Sequence, residues 1–533
     1  MNQHDGWRRA RCDRKEVMRS EAGPSLEYIF HPRSVAVVGS LTEPDRWWLR
    51  EYYIEPFLRF GYGGQIYGVN PKGGDIPGLA VYGSISDIPG PVDHIVGCVS
   101  ARRTPQLIAE CRDIGVKSIH IFTAGFAETG EPEGVEIQRT LTEIAGPGGP
   151  RIIGPNCMGL YCPESRLSFC TNFPQEPGPI GLICQSGGNT TYIIRVAAER
   201  GLRFSKAVSY GNACDIDECD LLEYMAGDPK TGVVAAYIEG TKDGARLIET
   251  LTAAASVKPV VVFKGGYTEG GSRAAVSHTG ALAGSDAVWD GLLKQAGAIR
   301  VYSVEEMVDV LVALLRMRPP RGPNTCAAGN GGGASVLATD ECERAGLRLL
   351  PIPPQIRDRL KAFIPLAGSM LRNPIDTNGL NAIAVRDRVT GGADASSLLD
   401  IPWDTIVKRG DRGWGDLVGA LEDWRGLDLA LFHYSIDLNP LEINEAMIAA
   451  NMGPMTAAVK KCRLPAAVVI HFLSSESSRR ASLRAQQMCL EAGLPLFLSM
   501  RGAGQAIRRL IEFNRAHPGM VAQLQGLDDC LIP

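Results

Sequence analysis

The sequence predicts an α/β protein with three successive domains, each built around a doubly wound parallel sheet. The main observation is a pattern that occurs three times, in which an apolar strand runs into a glycine turn and then into a helix-like stretch. The strands begin at Val35, Ile180 and Cys326. Each copy is typical of the start of a strand–helix–strand unit, in which ligands bind at the carboxyl ends of the strands.

The length of 533 residues supports this division, because single cores rarely grow beyond about 250–300 residues. Residues 174–179 are rich in proline, and residues 316–323 are rich in proline and arginine, so we expect both to be linkers. A basic N-terminal arm with no apolar signal-peptide core precedes the first strand. We therefore predict an arm over residues 1–25 and domains over residues 26–170, 171–320 and 321–533.

Within the first domain, apolar runs predict the later strands in order. They cover residues 65–69, 94–99 and 118–122, and a helical pattern over Thr104–Ile114 separates two of them. His94 and His120 open and lie within these apolar runs, so we expect packing in the core or at the sheet edge to explain both.

The composition excludes several function classes. The net charge of −4 provides no strong field for nucleic acid or an acidic membrane. No apolar run reaches the length of about 18–20 residues that a membrane-spanning helix needs. The 14 cysteines form no C-x-x-C pair, which argues against a zinc knuckle or a disulfide framework. We therefore predict a cytoplasmic protein with reduced thiols, no nucleic-acid partner and no membrane partner.

The first domain does not have the features of an NAD site. The G-x-G-x-x-G fingerprint is missing after the first strand, and the second strand ends in Asn70-Pro71-Lys72-Gly73-Gly74 without the acidic residue that binds ribose. A lysine among glycines suits a phosphate, because it offers a cation together with unobstructed backbone amides. A solvated surface lysine explains Lys72 equally well.

Motifs of all three domains occur in the order in which one family carries them. In the first domain they are residues 34–40 (SVAVVGS), 67–73 (YGVNPKG), 123–130 (TAGFAETG) and 153–159 (IGPNCMG). In the second they are residues 178–181 (GPIG), 185–188 (QSGG), 209–212 (SYGN), 237–240 (YIEG) and 277–284 (SHTGALAG). In the third they are residues 330–333 (NGGG) and 373–376 (NPID). Together they resemble the ADP-forming, or NDP-forming, acyl-CoA synthetases, in the part related to the succinyl-CoA synthetase α subunit.

The resemblance implies a Rossmann-like CoA-binding domain followed by two flavodoxin-like domains. It implies coenzyme A as a cofactor and a relay in which an acyl phosphate forms, a histidine carries the phosphoryl group and CoA captures the acyl group. The residues that it assigns to CoA are Gly39, Ser40, Asn70, Pro71, Lys72, Gly125, Phe126 and Asn156.

The phosphate-carrying histidine of the family corresponds to His278, and the carboxylate that orients its ring corresponds to Glu239. Residues Gln185, Ser186, Gly187 and Gly188, at a helix opening, and Gly280 are then expected to bind phosphate. Independently of the family, neutral imidazole is nucleophilic at cellular pH, and glycines around His278 let backbone amides close on an oxyanion. An isolated histidine is more often structural, and a glutamate at a strand end is often solvated. The functional roles of His278 and Glu239 are therefore expected only because both residues lie in the motifs of the family.

Part of the complete reaction machinery is not recognisable in this sequence. No segment has an ATP-grasp sequence or a P-loop. We therefore expect a separate ATP-grasp β-type subunit that supplies Mg-ATP, forming a hetero-oligomer.

Two stretches depart from the family. Residues 47–53 (WWLREYY) replace the usual glycine-containing loop near the CoA site, and residues 386–414 resemble an insertion with no readable purpose. We predict no metal ligand among the acidic residues at 215–220, which resemble a helix start.

The leading hypothesis is ligation of a carboxylic acid to CoA with conversion of an NTP to NDP and phosphate. A CoA-dependent lyase or transferase of the same superfamily and a non-catalytic CoA-binding regulator remain alternatives, and an NAD oxidoreductase ranks last. The sequence determines neither the acid nor the choice between ADP and GDP.

Overall fold

The computed structural model describes residues 26–279, 285–364, 370–380, 403–436, 445–471 and 476–531. These residues divide into two compact units, one before residue 305 that also includes the residues from 527 onward, and one from residue 305 to 526. The three mostly parallel sheets with interleaved helices confirm the predicted α/β class.

The first sheet has the strand order β3-β2-β1-β4-β5-β6, and the strand pairs are parallel. Its strands are β1 (Ser34–Gly39), β2 (Gln65–Val69), β3 (Ala80–Tyr82), β4 (His94–Cys98), β5 (Ser118–Ile121) and β6 (Arg151–Ile153). The helices in this part of the chain are α1 (Glu27–Phe30), α2 (Trp47–Tyr53), α3 (Glu55–Phe60), α4 (Thr104–Asp113) and α5 (Pro132–Ala145). β1 is buried along its whole length, as expected for a central strand covered on both faces.

The histidines of the first sheet are core residues, which is the first of the two packing positions expected from the sequence. His94 and His120 are both buried, and Nε2 of His94 lies 3.1 Å from Nδ1 of His120. Nδ1 of His94 also contacts the Ser118 hydroxyl at 2.8 Å. Burial lowers the pKa of His94 to about 3, so this ring is neutral at cellular pH.

The second sheet has the strand order β12-β11-β10-β8-β9-β7, and only the edge strand β7 is antiparallel to its neighbour. Its strands are β7 (Gly159–Tyr161), β8 (Ile180–Cys184), β9 (Phe204–Ser209), β10 (Val233–Ile238), β11 (Val260–Lys264) and β12 (Ile299–Val301). The helices are α6 (Gly187–Glu199), α7 (Glu218–Gly227), α8 (Gly244–Val257), α9 (Glu269–Thr279) and α10 (Asp286–Ala296). β7 lies before the predicted boundary at residue 170 but pairs with β9.

The acidic stretch at residues 215–220 begins α7, as the sequence predicts. The Asp217 carboxylate accepts hydrogen bonds from the backbone of Cys219 and Asp220, and the Asp220 side chain bonds back to the Asp217 amide, which makes a capping box. Among the described residues, no group of three or more His, Cys, Asp or Glu side chains could hold a metal ion.

The first two sheets are joined at their edges within one unit. The backbone amides of Asn212, Cys214 and Ile216 donate to the carbonyls of Pro155, Gly154 and Ile152 at 2.9, 2.9 and 3.1 Å. These hydrogen bonds connect β6 and the residues after it to the segment 212–216, which follows β9 of the second sheet. The residues that follow β6 and β9 are therefore held side by side.

The third sheet has the order β14-β13-β16-β17-β18, and β15 also pairs with β13. Its strands are β13 (Asn324–Gly329), β14 (Arg348–Leu349), β15 (Ile375–Asp376), β16 (Leu429–Ser435), β17 (Ala466–His471) and β18 (Leu496–Phe497). The helices are α11 (Val304–Arg316), α12 (Gly332–Arg344), α13 (Pro354–Lys361), α14 (Trp403–Glu422), α15 (Glu445–Lys461), α16 (Glu476–Glu491), α17 (Met500–Ala516) and α18 (Met520–Leu531). Much of the insertion-like stretch at 386–414 lies outside the described residues, but Trp414 in α14 is buried in the core.

No helix in the described part of the chain combines the length and apolar character that crossing a membrane requires.

Candidate functional site

Three polar residues from neighbouring strands meet at the carboxyl edge of the second sheet. Gln185 follows β8, Glu239 follows β10 and Lys264 ends β11, and these strands are adjacent in the order β11-β10-β8. All three side chains are buried. This edge is where ligands bind in open parallel sheets.

The Gln185 side chain organises the turn that presents Glu239. Its Oε1 accepts hydrogen bonds from the backbone amides of Glu239 at 2.7 Å and Gly240 at 3.2 Å. The backbone amide of Gln185 donates to the Tyr237 carbonyl at 3.0 Å, which connects the ends of β8 and β10. Gln185 thus acts on the backbone that carries Glu239, whereas the sequence analysis assigned it to phosphate.

Helix α6 begins at the same edge. The Ser186 hydroxyl caps it by accepting from the Asn189 amide at 3.4 Å, and Gly187 and Gly188 form the first turn. A Cβ on Gly188 would meet open space, whereas a Cβ on Gly187 would lie 2.6 Å from Cγ of Met158. The glycine-rich first turn and the positive end of the helix dipole suit an anion, and binding of phosphate by Ser186, Gly187 and Gly188 stays a prediction.

Charged and phenolic groups surround Glu239. Burial, followed by the charge of Glu239, raises the pKa of the Tyr237 phenol. Burial lowers the pKa of Lys264 to about 8, although the charges of Glu239 and Asp286 act in the opposite direction. The sequence did not indicate a role for Lys264, because a lysine that ends an apolar strand ordinarily extends into water.

His278 belongs to α9, which follows the glycines at 265 and 266 directly after β11. The side chain of His278 lies outside the described residues, and so does Gly280. Their predicted roles in carrying and binding phosphate therefore remain predictions.

The residues assigned to CoA lie at the carboxyl edge of the first sheet. Gly39 ends β1, and a Cβ there would lie 2.9 Å from both Cβ and the carbonyl oxygen of Cys98 on β4. Ser40 follows and is half-buried. The tight approach of β1 to β4 explains why glycine ends this strand.

Asn70 holds the loop after β2 against the loop after β1. Its Nδ2 donates to the Thr42 hydroxyl at 2.7 Å and to the Gly73 carbonyl at 2.9 Å, while its Oδ1 accepts from the Lys72 amide at 3.2 Å. Asn70 is buried, whereas Pro71 is exposed. Gly73 has φ +67 and no atom within 4 Å of a Cβ position, so it leaves room for a ligand.

Lys72 is a surface residue with a partner. Its side chain is 76% exposed, and its ammonium forms an ion pair with the Glu43 carboxylate. This hydrogen bond raises the pKa of Lys72 and lowers that of Glu43. A phosphate that binds Lys72 would therefore compete with Glu43.

The remaining CoA candidates lie after β5 and β6. Gly125 has φ +106, and its amide and that of Phe126 donate to the Glu128 carboxylate. The Phe126 side chain is fully buried in the core, so it is not available to a ligand. Asn156 has φ +59, and its amide donates to the Thr123 carbonyl at 3.0 Å.

An aromatic cluster that the sequence analysis did not predict covers the same edge. Ring centroids of Trp48 and Tyr53 lie 5.6 and 5.4 Å from that of Phe122, the residue after β5. The Tyr53 hydroxyl contacts the Met158 carbonyl at 3.4 Å. Because Met158 also packs on Gly187, this residue links the edge of the first sheet to the start of α6.

Comparisons with known proteins agree with this architecture. A family model described as a CoA binding domain matches residues 33–163, and a succinyl-CoA ligase like flavodoxin domain matches residues 177–314. A Ligase-CoA domain matches residues 326–407.

Similar proteins include subunit alpha of the ADP-forming acetate–CoA ligase I of Pyrococcus furiosus. It is 39% identical over 365 residues, which are 67% of this chain and 77% of the relative. The ADP-forming acetate–CoA ligase I of Archaeoglobus fulgidus is 36% identical over 66% of this chain and 51% of its own length. Among solved structures, the dinucleotide forming acetyl-coenzyme A synthetase 1 of Ca. Korarchaeum cryptofilum, in complex with phosphate and ADP, superposes with a TM-score of 0.71. It is 26% identical, and the match covers 96% of this chain and 99% of that one.

The chain therefore belongs to the ADP-forming acyl-CoA synthetases, which are acid–thiol ligases, and corresponds to their α-subunit-like part.

Proposed function

We propose that this chain is the CoA-binding, phosphohistidine-bearing subunit of an NDP-forming acyl-CoA synthetase. The net reaction converts a carboxylate, CoA and NTP into acyl-CoA, NDP and phosphate. The observation that carries the proposal is the junction at which the start of α6 and Glu239 lie on the same sheet edge, with Met158 connecting it to the CoA-binding domain.

The chemistry requires three transfers, and the chain contributes to each. In the first, a ring nitrogen of His278 attacks the γ-phosphorus of NTP and NDP leaves. In the second, a carboxylate oxygen of the acid attacks that phosphorus, which frees the imidazole and gives an acyl phosphate. In the third, the CoA sulfur attacks the acyl carbon and phosphate leaves, while the thiol proton passes to solvent or to a base.

The residues of the second sheet suit the first two transfers. The amides of Gly187 and Gly188 at the positive end of α6 would stabilise the phosphoryl oxygens. The Glu239 carboxylate would accept a hydrogen bond from the other ring nitrogen of His278 and hold its tautomer. Burial of Glu239 limits water at the site, which protects a hydrolysable phosphohistidine.

The residues of the first sheet suit CoA. The open space at Gly73 and the exposed Lys72 offer room and a cation for the phosphates of CoA, whereas the amides of Gly125 and Phe126 would have to exchange the Glu128 carboxylate for a phosphate. Gly39 and Ser40 would allow the ligand to approach the ends of the central strands, and Asn156 lies farther along the same edge, beside the loop after β5.

A second subunit is part of the proposal. The Pyrococcus relative is named as a subunit alpha, and this chain matches about half of the Archaeoglobus ligase, which supports a nucleotide site on another polypeptide segment. We propose an ATP-grasp β-type subunit that supplies Mg-ATP in a hetero-oligomer. The free cysteines among the described residues favour a reducing compartment, and we propose the cytoplasm.

The test combines the full chain with its ATP-grasp partner and labelled ATP. We expect an acid-labile phosphate on His278, and His278→Ala should abolish both the label and acyl-CoA formation. His517→Ala is the matched control, because this histidine lies at the end of α17 and should not affect labelling. Unchanged turnover in His278→Ala would end the proposal.

CoA binding without catalysis is the second candidate function. The aromatic residues of α2 favour it, because they occupy the place of the family's usual glycine-containing loop, and Trp47 is 65% exposed. A chain that binds CoA but takes no phosphate in the presence of the partner would support this alternative. Product analysis would separate ligation from a CoA-dependent lyase or transferase reaction.

A further inference from the structure

Lys264 is a buried cation for which the fold offers no obvious structural need. Its side chain is 2% exposed, and its ammonium donates to the carbonyl of Gly265 and lies 5.3 Å from the centroid of the Trp289 ring. Within the described part of the chain, no carboxylate forms an ion pair with it. Lysine ammonium groups are almost always kept in water, because burying an unpaired charge is costly.

The position of Lys264 places it beside Glu239. In the pairing of β10 with β11, Ile238 lies opposite Lys264, so Glu239 is the next residue at the same edge. The β11–β10–β8 order continues to Gln185, which holds the Glu239 amide at 2.7 Å. Lys264 therefore belongs to the same cluster as the carboxylate proposed to orient His278.

Three charged groups act on Lys264, namely Glu239, Asp286 and Arg300. The Arg300 guanidinium forms ion pairs with Asp286 and with Asp290, the latter at 3.1 Å, and it stacks on Tyr302. Asp286 thus shares the charge of Arg300 with Asp290. Of the two carboxylates whose charges act on Lys264, Glu239 has the larger effect.

The charges at the site require a cation when phosphate arrives. Glu239 contributes one negative charge and a phosphoryl group brings about two more, whereas a helix N-terminus offers only about half a positive charge. Without a further cation, the carboxylate that orients the imidazole would repel the group that the imidazole must accept.

We propose that Lys264 is a positioning residue for the phosphohistidine step, in which its ammonium compensates the charge of Glu239 and lets the phosphoryl group approach. The inference rests on the proposed roles of His278 and Glu239. No bond forms to Lys264, and the phosphoryl group moves only between nucleotide, imidazole and acid.

The expected pH dependence follows from the pKa of Lys264, which burial lowers to about 8. The ammonium is present below this pH and is lost above it. Tyr237, Tyr210 and Cys184 also face Glu239, but burial raises the pKa of each above its ordinary value, so none of them loses a proton near pH 8. The rate of histidine phosphorylation should therefore fall as the pH rises through about 8.

The test measures the initial rate of labelling of the full chain with its partner between pH 6 and pH 10. Lys264→Met keeps the length of the side chain and removes the charge, and we expect a rate about 100-fold lower, comparable to losing one oxyanion-stabilising donor. Lys264→Arg keeps the charge, so it should restore most of the rate and extend it above pH 8. Lys258→Met is the control, because this lysine also donates to a backbone carbonyl, that of Met225, but lies at the other end of β11.

Three outcomes would overturn the inference. They are a Lys264→Met enzyme with the wild-type rate, a Lys264→Arg enzyme as slow as Lys264→Met, and a wild-type profile without a decline near pH 8. Because the wild-type pH profile needs no variant, misfolding of Lys264→Met leaves the test decisive. Absence of any label on the wild-type histidine would instead overturn the proposed function, and CoA binding measured on the same samples separates the two failures.

Discussion

Removing the Gln185 side chain should weaken both the fold and the reaction, for a reason visible in the structure. Gln185→Ala deletes the acceptor of the Glu239 and Gly240 amides, which are buried donors. Stranding a buried donor costs about 1–3 kcal/mol. Since the second bond is the longer one, we expect the free energy of unfolding to fall by about 2–4 kcal/mol.

The effect on activity should exceed what the loss of stability explains. At a temperature where the variant is folded, the rate of histidine phosphorylation should fall at least about 10-fold. The reason is that Glu239, once its backbone amide has lost the Gln185 acceptor, would hold the His278 ring in a less defined orientation. Gln185→Glu keeps an acceptor oxygen and should recover part of the stability.

Urea unfolding, followed through the transition of the unit that contains the second sheet, measures the stability, and labelling from ATP measures the reaction. Ser34→Ala is the matched control, because its hydroxyl also accepts from a buried backbone amide, that of Asp93, at 2.9 Å. Ser34 lies at the opposite end of its strand from the site, so stability should fall while labelling is retained. Equal losses of activity in Gln185→Ala and Ser34→Ala would refute the reasoning.

Four further predictions follow from three contacts. Lys206→Met breaks a fully buried ion pair with Asp228 (2.7 Å) and should destabilise the first unit by about 3–5 kcal/mol in urea melts; a loss below 1 kcal/mol would contradict this. Although burial acts to raise it, hydrogen bonds from Lys206 and a threonine lower the pKa of Asp228. The stabilisation should therefore be complete above about pH 4 and decline as the pH falls further, which acid titration of unfolding checks. Gly187→Ala places a Cβ 2.6 Å from a methionine Cγ and should lower the melting temperature. Glu43→Gln releases Lys72 from its ion pair and should tighten CoA binding several-fold in low-salt calorimetry; unchanged affinity would remove Lys72 from the CoA site.

Much of the first sheet could be predicted from sequence, because its central strands are buried on both faces and appear as continuous apolar runs. The predicted strand at 65–69 coincides with β2, and the one at 118–122 exceeds β5 by a single residue. The three-residue strands β3 and β7 were not predicted, because they are too short to have a pattern of their own. β7 forms only through its long-range antiparallel pairing with β9.

The site was predictable in outline but not in the roles of individual side chains. Glycine turns and strand ends indicate where a ligand binds, so Gln185, Glu239 and the start of α6 could be named in advance. Sequence does not show that the Gln185 oxygen is already used by two backbone amides, because that depends on the adjacency of β8 and β10. It also does not show that Lys264 points inward, since an apolar strand followed by lysine is equally typical of a surface edge.

The bonded edge between the first two sheets has a practical consequence for protein engineering. The backbone amides of residues 212, 214 and 216 donate hydrogen bonds to the carbonyls of residues 155, 154 and 152. Arg151 adds ion pairs to Asp215 and Asp220 at 2.9 and 3.2 Å. A chimera that exchanges only the first domain for that of a relative would place a foreign β6 and a foreign residue 151 against the native residues 212–220. The backbone hydrogen bonds and the ion pairs would then have to form between segments of two different proteins. Exchanges that transfer residues 26–304 as one cassette should yield well-folded hybrids more often than exchanges with a junction near residue 170.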